Sequence, residues 1–290
     1  MTPLVPNCVV VRVPGKVNLQ LSVGPKEDDN FHGVVTVFQA ISLFDDVTVV
    51  RGDSGTGISV QILGDHTHGV PSDGTNLSAR AAALMCEKYD LSMDLSIEIK
   101  KSIPVAGGMA GGSADAAATI VAIDALFSLG LSRDEMHEIA AMLGSDVPFM
   151  LAGGTAVGRG RGDQVTSALS RGTYHWVLAL STAGLSTPAV YGECDRLRAG
   201  MDVATPHVND QLLQALLAAD PVALGKGLIN DLQAAACSLR PALRLILDVG
   251  SEYGALGSIV SGSGPTVAFL VSDEDHALDL AVALTSSGVV

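Results

Sequence analysis

Apolar and polar positions alternate with period two in several stretches of the N-terminal third. Val9, Val11 and Val13 share one phase, as do Leu19, Leu21 and Val23, and 58–63 and 95–100 repeat the pattern. Period two marks half-buried strands. One helix interrupts them at about 76–90, with Leu77, Ala81, Leu84 and Met85 on one face. The middle is helical: over 113–129, Ile120, Ile123 and Phe127 recur at helical spacing. Ser132-Arg-Asp-Glu135 is a capping box, and the helix behind it buries Met136, Ile139, Ala140 and Leu143 and stops at Gly144. Beyond about residue 155, strands are expected at 175–181 and 266–272, and helices at 188–198, 208–219, 240–253 and 274–286. Pro188 suits a first helical turn behind Ser186 and Thr187.

The pattern predicts an α+β protein of two lobes joined near 153–165, with an N-terminal lobe over 1–157 and a smaller C-terminal lobe over 158–290. No internal repeat or low-complexity linker interrupts it. With 48% hydrophobic and 17% charged residues, the chain can bury a core. The formal charge of −14 argues against nucleic acid or an anionic membrane as partner. An anionic ligand therefore needs a locally positive site or one rich in backbone N–H groups. Cys8, Cys86, Cys194 and Cys237 have neither metal-ligand nor disulfide spacing. His66-Thr-His68 lacks a third ligand and is set aside as a metal site. No signal-peptide pattern opens the chain, and the apolar run 116–127 is broken by Asp124, so a soluble, cytoplasmic protein is expected.

The most informative stretch is Pro104-Val-Ala-Gly-Gly-Met-Ala-Gly-Gly-Ser-Ala114, between the strand at 95–100 and a helix expected to open near Ser113, read as its N-cap. Glycines let the backbone approach a ligand, consecutive N–H groups form an anion nest, and the helix start adds free donors. A Walker loop is excluded, because Gly15-Lys16 and Gly225-Lys226 are not followed by Ser or Thr. A dinucleotide fingerprint fails at Ala106, and no nucleophile elbow surrounds Ser113 or Ser263. A close-packing turn is the competing reading of such a loop; its length and its serine favour phosphate.

Three segments together resemble the superfamily of galactokinase, homoserine kinase, mevalonate kinase and phosphomevalonate kinase: Pro14-Gly-Lys-Val-Asn-Leu, the loop 104–114, and Ser261-Gly-Ser-Gly-Pro-Thr266. Their order and spacing span almost the whole chain. Asn30-Phe-His, Gly144-Ser-Asp-Val-Pro-Phe, Gly158-Arg-Gly-Arg-Gly-Asp and Asn230-Asp-Leu bring it nearest to the branch that phosphorylates a cytidine-diphosphate derivative of methylerythritol, in the non-mevalonate route to isoprenoid precursors. The resemblance implies a two-lobed α+β fold and ATP with Mg²⁺; direct in-line phosphoryl transfer without a phosphoenzyme is the mechanism expected. It implies a small-molecule substrate carrying a cytidine diphosphate group; a monomer or homodimer is expected. One departure is Asn30-Phe31-His32, where the family usually has Gly-Tyr-His: the ring face is kept and the hydroxyl lost.

By turn chemistry alone Asp146 is a common turn former; the resemblance makes it the catalytic carboxylate and Lys16 its partner. Pro104, Val105, Ala106, Gly107, Gly108, Met109, Ala110, Gly111, Gly112, Ser113 and Ala114 become the ATP loop, with Asn76 and Leu77 on the adenine side. Asn76 is equally a helix cap. Asn18, in strand phase with Lys16, is a substrate-orienting candidate. Phe31 and Tyr191 would sandwich the cytosine, with His32 reading its edge and Thr187 nearby on the substrate side. Arg159 and Arg161 suit a diphosphate or simply solvent, and 261–266 supports the phosphates. No Mg²⁺ ligand is assigned. Two alternatives stand beside this reading. A homoserine- or mevalonate-type kinase is disfavoured by Phe31-His32, and a non-catalytic nucleotide sensor by the joint presence of Lys16 and Asp146.

Overall fold

The computed structural model describes residues 6–105, 107–181 and 184–289; of the predicted loop, Ala106 lies outside the described residues. The chain forms two compact units. The first takes its described residues from Met1–Lys16, Ala40–Val105 and Ala110–Gly153, the second from Val17–Gln39, Ala106–Met109 and Gly154–Val290. Two long strands, β1 (Cys8–Lys26) and β2 (His32–Arg51), give residues to both.

In the first unit, β3 (Ile58–Gly64) and β4 (Leu95–Lys101) pair in parallel, with α1 (Leu77–Tyr89) between them in sequence. β4 also pairs antiparallel with β2, setting Val47 opposite Ile99 and Val49 opposite Ile97. All four are fully buried. The alternation read in β4 is real: its odd positions are buried and its even ones exposed. α2 (Gly111–Phe127) is apolar nearly all round and is surrounded by α1, α3 (Arg133–Leu143) and the short α4 (Val147–Ala152). Small residues fit it there, with Ala114, Ala116, Ile120, Ala122 and Ile123 at zero exposure. The capping box forms as predicted: Ser132 N–H donates to Glu135 Oε2 at 2.8 Å, and Ser132 Oγ accepts from Glu135 N–H.

In the second unit, β5 (Thr155–Arg159) pairs antiparallel with β2 and forms a hairpin with β6 (Gln164–Ser167). A three-stranded antiparallel sheet puts β10 (Val267–Val271) between β7 (His175–Ala179) and β9 (Gly257–Val260). The helices are α5 (Thr187–Leu197), α6 (Asp210–Ala218), α7 (Pro221–Gly227), α8 (Gln233–Leu239), α9 (Ala242–Glu252) and α10 (Glu274–Ser286). A two-residue strand, β8 (Ile229–Asn230), lies parallel to β1 at Gln20 and Leu21. Val177, Phe269, Val271, Leu243, Ile246 and Leu280 share one buried cluster.

The four predicted C-terminal helices appear as α5, α6, α9 and α10. The periodicity marks no strand over 32–51: Val34 to Gln39 is buried without a break, and the alternation that β2 does have, over 45–50, was not read. A strand covered on both faces loses its alternation. For the same reason β1 reads as two fragments: positions 15–21 are all buried. No helix among the described residues is long and apolar enough to cross a membrane.

Candidate active site

Lys16 sits inside the continuous buried run of β1, and its Nζ lies 3.8 Å from Asp146 Oδ2. The lysine side chain is 4% exposed, the aspartate 33%. Burial pushes the ammonium pKa down, and the Asp146 charge only partly restores it. Asp146 follows the α3 stop at Gly144 and occupies the N-cap position of α4, yet its carboxylate makes no capping bond to that helix. It is thus a carboxylate placed by a turn and not consumed by it.

The last part of the glycine loop, from Ala110 on, belongs to the same unit as this pair. Ile103, fully buried, lies under both Gly15 and Gly111: a methyl at either position would fall 3.5 or 3.1 Å from its side chain. Gly15 precedes Lys16 and Gly111 opens α2, so one isoleucine packs both segments together. The helix begins two residues before the expected position. Ala110, in the left-handed region at φ 57°, is the N-cap and offers no side-chain cap, while Ser113 lies within the first turn. Serine caps are common, but here a backbone turn through Ala110 starts the helix first. The uncapped N–H groups of Gly111, Gly112 and Ser113 are the orphan donors of a helix start. Ala114 N–H is already bound to Ala110 O at 2.9 Å. Pro104 and Gly107 are buried, and Met109, at zero exposure, anchors the loop by packing; Val105 is exposed. Gly112 lies beside Leu77. Asn76 caps α1 by accepting from Ser78 N–H at 2.8 Å and donates to Pro71 O at 2.7 Å.

Under the loop lies a buried charge cluster. Lys101 Nζ donates to Asp45 Oδ2 and to Asp115 Oδ2, the latter at 2.8 Å. Asp45 Oδ1 also accepts from Ser102 N–H at 2.6 Å and Ile103 N–H at 2.8 Å. These bonds fix the strand end before the loop and the first turns of α2 after it. Burial pushes the Asp115 carboxyl up to about 7, with Lys101 opposing.

In the second unit, Gly108 has φ 74°, and a methyl there would collide with the Ser261 carbonyl; Ser261 Oγ donates to Gly108 O at 3.0 Å. Only glycine permits this approach. Asn230 holds the 261–264 turn by donating to Val260 O and Gly262 O at 2.6 and 2.8 Å. Thr187 Oγ1 lies 2.8 Å from Ser263 Oγ. Asn18 is buried and donates to Thr36 Oγ1 at 2.8 Å. His32 lies 5.2 Å, ring centre to ring centre, from Tyr191 and 2.7 Å from Asp195. Phe31 is half exposed and is covered on one face by the Arg161 guanidinium at 3.8 Å. Asp29 ties that arrangement, accepting from Arg161 at 2.8 Å and from Phe31 N–H at 3.0 Å. Arg161, a diphosphate candidate in the sequence, is engaged here with Asp29 and Phe31.

The family model for the GHMP kinases N terminal domain matches residues 76–154, and that for GHMP kinases C terminal matches 212–290. A 4-diphosphocytidyl-2-C-methyl-D-erythritol kinase of Mycolicibacterium smegmatis is 52% identical over 97% of this chain and 87% of its own length. One of Thermobifida fusca is 52% identical over 98% and 93%. The chain belongs to the GHMP kinases, in the family of those enzymes. A crystal structure of 4-(cytidine 5'-diphospho)-2C-methyl-D-erythritol kinase superposes with TM-score 0.76 at 29% identity, covering 96% of each chain. L. major mevalonate kinase, 17% identical, shares the fold at TM-score 0.78 over 99% of this chain and 94% of its own.

For a GHMP kinase, then, the sequence reading overlooked Lys101, Asp45, Asp115 and Asp195 beside the candidate site, and named Asn230 in a motif without giving it a role. One signal was present: the β4 alternation puts Lys101 in phase with Leu95, Ile97 and Ile99. A lysine on the apolar phase of a strand requires a buried carboxylate. Asp115, inside an alanine-rich helix, was the other half of that signal.

Proposed function

We propose that this GHMP kinase transfers the γ-phosphoryl group of ATP to a hydroxyl of 4-diphosphocytidyl-2-C-methyl-D-erythritol, by direct in-line displacement, in the cytoplasmic non-mevalonate route to isoprenoid precursors. One observation carries the chemistry: Lys16 Nζ lies 3.8 Å from a partly exposed Asp146 carboxylate, in the same unit as the uncapped start of α2, whose Gly111 shares Ile103 with Gly15. The N–H groups at Gly111–Ser113 suit phosphate oxygens, and Leu77 beside Gly112 suits the adenine side. Mg²⁺ accompanying ATP would neutralise charge on the transferring group; it takes few protein ligands when phosphates supply the rest. Asp146 accepts or orients the acceptor hydroxyl's proton, and Lys16, 3.8 Å away, offsets negative charge nearby. Positioning supplies most of the acceleration. In the second unit, Tyr191, His32 and Phe31 supply ring faces and a polar edge for the cytosine, and Asn18 and Thr187 serve the substrate.

The test follows ADP release with ATP, Mg²⁺ and the cytidyl substrate, with homoserine and mevalonate as parallel acceptors. Turnover on the cytidyl acceptor alone, lost in Asp146→Asn, is expected. Turnover on homoserine or mevalonate instead would remove the roles given to Phe31, His32 and Tyr191. ATP binding without turnover on any acceptor would favour a sensor.

A further inference from the structure

Helix α5 directs two side chains, one turn apart, at the same imidazole. Tyr191 stands 5.2 Å from the His32 ring at an interplanar angle of 37°. Asp195, four residues on and so on the same helix face, places Oδ1 2.7 Å from His32 Nε2. Lys26 Nζ lies 3.9 Å from the other oxygen of that carboxylate. The His32 side chain is 6% exposed, and no described residue hydrogen-bonds its Nδ1.

An ionised carboxylate can only accept, so Nε2 must carry the hydrogen in this contact. In the neutral ring the remaining nitrogen is then an acceptor. We infer that Asp195 is a specificity-determining positioning residue: it locks His32 as the Nε2–H tautomer, so that Nδ1 presents an acceptor that selects cytosine over uracil. At the edge where the two bases differ, cytosine offers an amino donor and uracil a carbonyl acceptor. An acceptor held in place bonds the first and repels the second. With the imidazole pinned and largely buried, the ring cannot turn or shift its proton to suit uracil. The inference rests on the reading that the substrate carries a cytidine diphosphate group.

The decisive variant is Asp195→Asn. An amide can accept from Nε2–H or donate to a bare Nε2, so it tolerates both tautomers and leaves Nδ1 as acceptor or donor. The ratio of kcat/KM for the cytidyl substrate over its uridyl counterpart is measured in wild type and variant. Equilibrium binding of CDP against UDP reads the same discrimination without turnover. The expected result is a ratio lowered about tenfold or more in Asp195→Asn, mainly through KM, with KM for ATP unmoved and Asp195→Glu recovering part of the preference. A ratio that stays the same while both substrates weaken together would reduce Asp195 to a structural role and overturn the inference. A wild type that turns over the cytidyl substrate but accepts the uridyl one equally well would overturn it too. If wild type fails on the cytidyl substrate altogether, the proposed activity itself falls, and this inference with it.

Discussion

Two lysine–aspartate arrangements lie in the same unit and are built differently. Lys101 is closed on two carboxylates, and all three side chains are at most 3% exposed. Lys16 is as deeply buried, but the Asp146 oxygen stands 3.8 Å away on a side chain one-third exposed. The first cluster closes its lysine on two carboxylates and holds the strand end before the glycine loop to the first turns of α2. The second leaves a carboxylate that solvent can reach. The proposed catalytic role of Asp146 uses that exposure, and the buried cluster offers none.

The contrast predicts opposite phenotypes. Lys101→Met leaves two buried carboxylates without their cation and should lower unfolding free energy by about 3–5 kcal/mol in urea titrations. Asp146→Asn should instead reduce kcat by roughly 10²–10⁴-fold while stability moves by about 1 kcal/mol or less. If Asp146→Asn unfolds the protein as Lys101→Met does, the distinction fails. Gly108→Ala, which forces a methyl against the Ser261 carbonyl in a left-handed residue, should cost about 1–3 kcal/mol and raise KM for ATP. An unchanged melting temperature would show that the loop yields there freely.

The smallest effect is a pH slope. Burial raises the Asp115 carboxyl from 3.8 to about 7 in the folded protein. Between those values the native state holds a proton that the unfolded chain has released. Stability from this group is therefore complete below about 4, falls as pH rises, and is lost above about 7. Unfolding titrations of Asp115→Asn across that window should be flatter than wild type, and a slope identical in both would remove the cluster's titration from the account.

Legibility followed burial. Where an element was covered on one face, as in β4 and α3, its period was visible and its cap could be named. Where both faces were covered, as in β2 from 34 to 39, there was no alternation to read, and in β1 the fully buried run 15–21 showed only its end, at Leu19 and Leu21. Short elements such as α4, α7 and α8 hold too few turns to establish a helical period. In the candidate site, the glycine loop stood out because its chemistry lies in local backbone, whereas Lys16 and Asp146 were picked out by the resemblance alone. Their supports did not stand out, because Lys101 and Asp45 are 56 positions apart and His32 and Asp195 are 163 apart. Nothing in either neighbourhood names its partner.

The sequence by itself determined the α+β character, the glycine loop and the capping box, since each depends on local periodicity or on a residue's own conformational range; the segments that carry Lys16 and Asp146 were legible in it only through their resemblance to a family. Only the tertiary structure decided that Ile103 packs Gly15 against Gly111, that Lys101 is shared by Asp45 and Asp115, and that Asp195 rather than solvent faces His32. The physical reason is that a buried charge or a ring nitrogen takes its partner from whatever the folded chain brings within hydrogen-bond reach, and that distance is not written in local spacing.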